Sequence, residues 1–122
     1  MMAAPNLVNV ATITAKSVQA ALTTTLTTEI LANGSSSGKV FKINNILIAN
    51  IDGTNAVDIS VFITKSGGSP LAIASTISVP ADATLTVIDK DTGLYLEEGD
   101  NIEAGAGAAS DAVITINYEE LS

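Results

Sequence analysis

The sequence contains no cysteine, no histidine, no arginine and no tryptophan. Each absence removes a class of chemistry. Without cysteine there are no disulfides, no thiolate nucleophile and no thiolate metal site, so stability has to come from packing. Without histidine there is no imidazole for acid/base work near neutral pH. Without arginine nothing can clamp a phosphate or carboxylate in bidentate fashion. The aromatic set is Phe41, Phe62, Tyr95 and Tyr118, too small for a stacking platform.

Basic charge is scarce as well: five lysines face 13 acids, for a net charge of −8. Residues 1 to 50 carry Lys16, Lys39 and Lys42 against Glu29, whereas from residue 82 onward there are ten acids and one lysine. Phosphate contacts depend on Lys and Arg, so a role as an independent nucleic-acid binder is not expected. The in-chain asymmetry suggests a molecule with a slightly basic N-terminal side and acidic loops turned to solvent.

Long hydrophobic runs are missing too. Mean hydropathy is +0.42, yet aliphatic stretches such as Ile46 to Ala49 fall far short of the roughly 20 residues of a spanning helix, and no membrane partner is expected. No basic residue precedes Lys16 and no apolar h-region follows the start, so a cleaved secretory signal is not visible.

What is present is β-branched. Thr, Val and Ile number 14, 9 and 14 of the 122 residues, side chains that suit a pleated sheet and crowd a helix. In VDISVFIT, Val57, Ile59, Val61 and Ile63 share one face. Leu71, Ile73, Ile77 and Val79 do so in LAIASTISV, and Ala112, Ile114, Ile116 and Tyr118 in AVITINYEE. In KVFKINNILIANID the apolar parity is Phe41, Ile43, Leu47, Ala49 and Ile51, with Ile46 and Ile48 breaking the polar side, so its middle is expected to be covered on both faces.

Turn signals punctuate these runs: NGSSSG from Asn33, DGTN from Asp52, SGGSP from Ser66, VPADAT around Pro80, DKDTG from Asp89, EEGD from Glu97 and GAASD from Gly107. Asp-Gly at Asp52 suits positive φ. About eight short strands without a 3.6-residue period predict an all-β, antiparallel β-sandwich or jelly roll. The first third is read as an arm with edge strands over 1–37 and the rest as the sandwich body over 38–122. LVNVATITA is a candidate strand, AALTTTLTTEILA reads as one strand or two, and Gln19 to Leu22 allow at most a turn of helix.

The densest acidic stretch is LYLEEGDNIEAG, from Leu94 to Gly105. Leu94 and Leu96 should point inward before the turn, and Ile102, Ala104 and Ala106 after it. That leaves Glu97, Glu98 and Asp100 on a solvated reversal around Gly99. A glycosidase-like carboxylate pair would need aromatic platforms that are not there. Asp89 and Asp91 have the every-second-residue spacing of a calcium loop, but the third ligand and the distal glutamate are missing and Lys90 intrudes, so a plain turn is the alternative. GAGAAS from Gly105 leads from strand to strand, which suits close sheet packing or subunit contact rather than a dinucleotide. The hydroxyls have no histidine partner, and no spacing suggests a Ser/Lys dyad. No catalytic, cofactor-binding or metal-ligating residue is therefore assigned.

GKVFKINNILIANIDGTNAVDISV, SVPADATL, LYLEEGDNI and VITINYEEL, taken in that order over residues 38 to 121, resemble a group of small virion structural proteins of tailed bacteriophages, especially those infecting cyanobacteria and other aquatic bacteria. The resemblance implies an antiparallel β-sandwich built in many copies into a virion assembled in the bacterial cytoplasm. The implied roles are a head decoration (cement) protein bound to the major capsid protein, or a neck, tail or fibre part with a receptor- or glycan-binding role. It carries no catalytic residues, cofactor or nucleic-acid partner with it. A homo-oligomer is expected, a trimer suiting three-fold positions of a shell, with the N-terminal arm toward the capsid.

Overall fold

The computed structural model describes residues 11–92 and 94–122. The expectations placed on the first ten residues, including the start of LVNVATITA, and on Gly93 lie outside the described residues. Nine strands and no helix occur among the described residues: β1 Ile13–Ala21, β2 Thr28–Ala32, β3 Val40–Asn50, β4 Val57–Thr64, β5 Leu71–Val79, β6 Thr84–Ile88, β7 Leu94–Leu96, β8 Asn101–Ala106 and β9 Ala112–Leu121. Gln19 to Ala21 close β1 as strand, not helix.

All pairings are antiparallel and form two sheets, one ordered β1-β9-β3-β6 with the short β7 also on β3, the other ordered β2-β8-β4-β5. The pairings nest. β4 meets β5, outside them β3 meets β6, then β2 meets β8, and the first and last described strands close the series as β1 meets β9. With β7 set aside, this is one long ribbon of antiparallel pairs wound over itself, the winding of a jelly roll. The two sheets enclose a core that includes Ile43, Ile46, Ile48, Ile59, Ile102, Ile114 and Ile116, all at 0% exposure. Burying each such side chain contributes roughly 1.5–3 kcal/mol relative to leaving it in water. Leu22, just past β1, and Leu31 of β2 join the same core, with Val18 and Ala20 of β1 packed against it, so β1 and β2, each at a sheet edge, are both tied to it.

β3 departs from the expected parity for a physical reason. Its pairing with β9 shifts register between Ile43 and Asn45, and a single extra residue reverses which face every later side chain occupies. Phe41 and Ile43 therefore point inward before the bulge, and Ile46 and Ile48 after it. Leu47 and Ala49 turn to the outer face, half-buried, and Ile51 is 60% exposed. Asn50 takes the inward position instead. It is buried, with its side-chain amide donating to the Asn55 and Val79 carbonyls at 2.9 Å each, while its own carbonyl accepts from the Asp52 amide.

β5 departs further. Of the residues expected on its dry face only Val79 is buried; Leu71 is 71% exposed, Ile73 41% and Ile77 39%. β5 lies at the edge of its sheet, and its register against β4 shifts twice, between Ile59 and Val61 and between Val61 and Phe62. Thr76 adopts φ +51° there, its amide bonding the Ser60 hydroxyl at 2.9 Å. A strand at an edge has too little opposite it for its apolar parity to be buried.

The Asp52-Gly53 turn joins β3 to β4, carrying the chain from one sheet to the other, but neither Asp52 nor Gly53 takes the positive φ that Asp-Gly suits. Asp52 serves instead as a cap, its carboxylate accepting the amides of Thr54 at 2.8 Å and Asn55 at 3.3 Å.

Candidate functional site

The acidic reversal after β7 is not a uniformly wet turn. Glu97 is exposed, but Asp100 is 1% exposed and fully occupied. One carboxylate oxygen accepts the Ser66 amide at 3.0 Å; the other accepts the Glu97 amide at 2.9 Å and the Lys65 ammonium. Lys65 thereby has its pKa raised, chiefly by the hydrogen bond to Asp100, against a smaller opposing effect of burial. Asp100 thus staples the β4–β5 hairpin to the β7–β8 reversal. A buried carboxylate is tolerable here because three donors replace its water. Gly99, at φ +85°, completes the reversal, donating its amide to the Asn33 carbonyl at 2.9 Å.

Asn33 is the other hub of this end. It is 1% exposed, its amide group donates to the Lys39 carbonyl at 2.8 Å and the Leu96 carbonyl at 3.0 Å, and its side-chain oxygen accepts from Ser37. Glu98 reaches across to accept the Gly38 amide at 3.0 Å. The densest acidic stretch therefore holds three connections together. No spacing rule marks Asn33 or Asp100 for burial, since Asn-Gly and Gly-Asp are also what exposed turns use.

Asp89 is likewise committed to its own turn. Its carboxylate accepts both the amide and the hydroxyl of Thr92 at 2.8 Å, the hydroxyl bond first holding its pKa down. Asp91 is exposed. Among the described residues no three His, Cys, Asp or Glu side chains gather closely enough to hold a metal ion.

In GAGAAS, Gly105 lies under the β1–β2 connection, where a Cβ would stand 2.6 Å from the Thr25 carbonyl oxygen, while Ala106 donates its amide to the Thr23 carbonyl at 2.9 Å. Its glycine is there for close packing within the chain.

The charge asymmetry along the sequence does not survive folding. Lys16 and Lys39 both reach Glu120, at 3.3 and 3.0 Å, and Lys42 lies 4.0 Å from Glu119. Antiparallel pairing of β9 with β1 and β3 brings the acidic C-terminus to the basic N-terminal third. Beside this group, Phe41 and Tyr118 pack at 5.1 Å between ring centroids, both buried. An open depression of about 340 Å3, lined by Ala15, Lys16, Ser17, Asn44, Asn117 and Tyr118, follows the β3 bulge. It offers amides and the hydroxyls of Ser17 and Tyr118 but no nucleophile–base pair, and its lysine is already engaged with Glu120. Tyr95, at 45% exposure, is the aromatic left most open to solvent.

What remains distinctive on the surface is one flank. β5 and β6, the edges on the same side of the sandwich, carry no charged residue, and Asp82 is the single charge between Lys65 and Asp89. Three of the large exposed aliphatic side chains, Leu71, Ile73 and Ile77, lie on β5. The opposite flank carries Lys16 on β1 and Glu29 on β2. The fold defines the class of protein as a jelly-roll β-sandwich, with the buried Asn33, Asn50 and Asp100 spent on its own loops. No protein-family model matches the chain, and no curated protein matches it either.

Proposed function

We propose that this protein is a non-enzymatic structural component of a bacteriophage virion: a decoration or cement protein that binds the major capsid protein of the assembled head and stabilises it as a homo-oligomer. The observation that carries the reading is where the side chains are spent. Asp100, Asn33, Asn50, Asp52 and Asp89 all cap backbone or anchor loops, while an uncharged flank with exposed aliphatics is left for contact. Surfaces of that kind suit association with other chains more than turnover of a small molecule. The jelly-roll winding is compatible with the reading but does not choose it, because one fold hosts many functions. The resemblance of four sequence blocks to phage virion proteins supplies the particle.

A cement protein acts by mass action: binding the expanded shell and not its disrupted form shifts the balance toward the shell. The test is to add purified protein to undecorated heads. Saturable binding with a rise in the temperature at which heads come apart supports the proposal. Adherence to host cells with no affinity for heads moves the protein to a tail or fibre, and affinity for neither overturns the virion reading.

A further inference from the structure

An edge strand presents unpaired backbone donors and acceptors, and proteins protect such edges with charges, prolines, bulges or a covering element. β5 has no charge along its nine residues, and among the described residues it hydrogen-bonds as a strand to β4 alone. Among the described residues nothing covers its other side. Leu71, Ile73 and Ile77, projecting from the faces of the strand, leave exposed apolar surface beside that open edge.

We propose that β5 is a self-association edge, on which a second copy of this chain lays its own β5 antiparallel across a two-fold axis. The two four-stranded sheets then run on as one. Two arguments favour a second copy as the occupant. First, each chain carries −8, so two copies can approach closely only where like charges do not face each other, and residues 66–81 hold none. A basic partner would instead be drawn to the acidic loops. Second, strand addition asks of its partner only another open edge with small or aliphatic neighbours, and β5 meets that requirement for itself. The protections β5 does have limit the contact without abolishing it. Pro70 and Pro80 bracket the strand and the irregularity at Thr76 interrupts it, so pairing centres on the run from Leu71 to Ala74. A two-fold contact of this kind consumes both edges and closes, instead of growing into a fibre.

The inference does not rest on the virion reading, since it concerns the free protein. The absence of cysteine makes a clean test possible. Ala72→Cys on β5 and Ser17→Cys on β1 place single thiols at exposed positions on opposite flanks. With a short bismaleimide, the first is expected to link copies in high yield and the second not. In parallel, Leu71→Lys with Ile73→Lys should convert the dimer seen by light scattering into monomer, with the far-ultraviolet circular dichroism unchanged, because both side chains are solvent-exposed. A monomeric parent protein, an unlinked Ala72→Cys, equal linking through Ser17→Cys, or a folded lysine variant that keeps its oligomeric state would each overturn it.

Discussion

Gly105 sits beneath the backbone of Leu26, close enough that a Cβ would stand 2.9 Å from the Leu26 amide nitrogen and 2.6 Å from the Thr25 carbonyl oxygen. Neither neighbour is a flexible side chain that could swing aside. The connection from β1 to β2 passes here from one sheet to the other, and the Ala106 amide holds it through the Thr23 carbonyl. Gly105→Ala should therefore push the connection off β8 and cost about 1–3 kcal/mol, the usual range for overpacking. Gly107→Ala is the control. Its nearest neighbour, the Asp58 carbonyl oxygen, stands at 3.7 Å, and the change should stay within about 0.5 kcal/mol. Urea midpoints of the two variants decide the matter; equal midpoints would mean the connection yields freely.

Much of the architecture was legible in the sequence because alternation is a local property. Val57, Ile59 and Val61, and Ala112, Ile114 and Ile116, fall on the buried face as their spacing predicts. Phe41 and Tyr118 are buried as expected. Where the reading failed, a non-local fact intervened. Leu47, Ala49 and Ile51 point outward because an extra residue at Asn44 breaks the register with β9, and nothing in KINNIL announces a bulge other than the asparagines themselves. Leu71 and Ile73 are exposed because β5 is an edge, and edge or centre is decided by strand order. Asp100 is buried because Lys65 and Ser66, 35 and 34 residues away in sequence, come to meet it.

That staple is testable by itself. Asp100→Ala removes the acceptor for the Ser66 and Glu97 amides together with the Lys65 ammonium. Leaving buried donors unsatisfied costs on the order of 1–3 kcal/mol. Hydrogen exchange locates the loss: the Ser66 and Glu97 amides should exchange faster in the variant, while amides in the middle of β9 should change only with global stability. Asp100→Asn, which keeps one oxygen acceptor, should fall between. Unaltered exchange at Ser66 and Glu97 would show that the β4–β5 hairpin is held by something else.

Glu29 and Glu103 are directly opposed in the pairing of β2 with β8. Like charges at facing positions destabilise an antiparallel pair, and opposite charges contribute roughly 0.2–1 kcal/mol. Glu29→Lys replaces repulsion by attraction and relieves the net charge, at the loss of a 3.3 Å hydrogen bond from the Asn101 side chain. The variant is expected to be the more stable by about 0.5 kcal/mol at low ionic strength. Because both positions are in reach of solvent, the gain should shrink as salt is added. A variant less stable than the parent at every salt concentration would mean that the Asn101 bond outweighs the charge pair.

The titrating groups place the pH limits of the fold. Asp52 and Asp89 are held below their ordinary value of 3.8, Asp52 by the amides of Thr54 and Asn55, Asp89 by the hydroxyl and amide of Thr92. Glu120 is held below 4.5, its burial opposed and outweighed by hydrogen bonds from Lys39 and Lys16. A carboxyl with a depressed pKa releases its proton more readily in the native state. Its stabilising contribution is complete above about pH 5 and is lost as pH falls through the folded pKa. Lys65 is raised above 10.5, first by its hydrogen bond to Asp100, and Tyr118 above 10.0, first by burial and then by the charge of Glu120. Both keep their protons more tightly when folded, so their contributions are intact at neutral pH and are lost as pH rises through the folded pKa values. With no histidine in the chain, urea midpoints should be nearly level from about pH 5 to about pH 9 and should fall on either side. Glu120→Gln should lower the midpoint on the plateau and flatten the acid limb, since the lysines lose their anion. A variant that reproduced the parent's acid limb unchanged would remove Glu120 from the account.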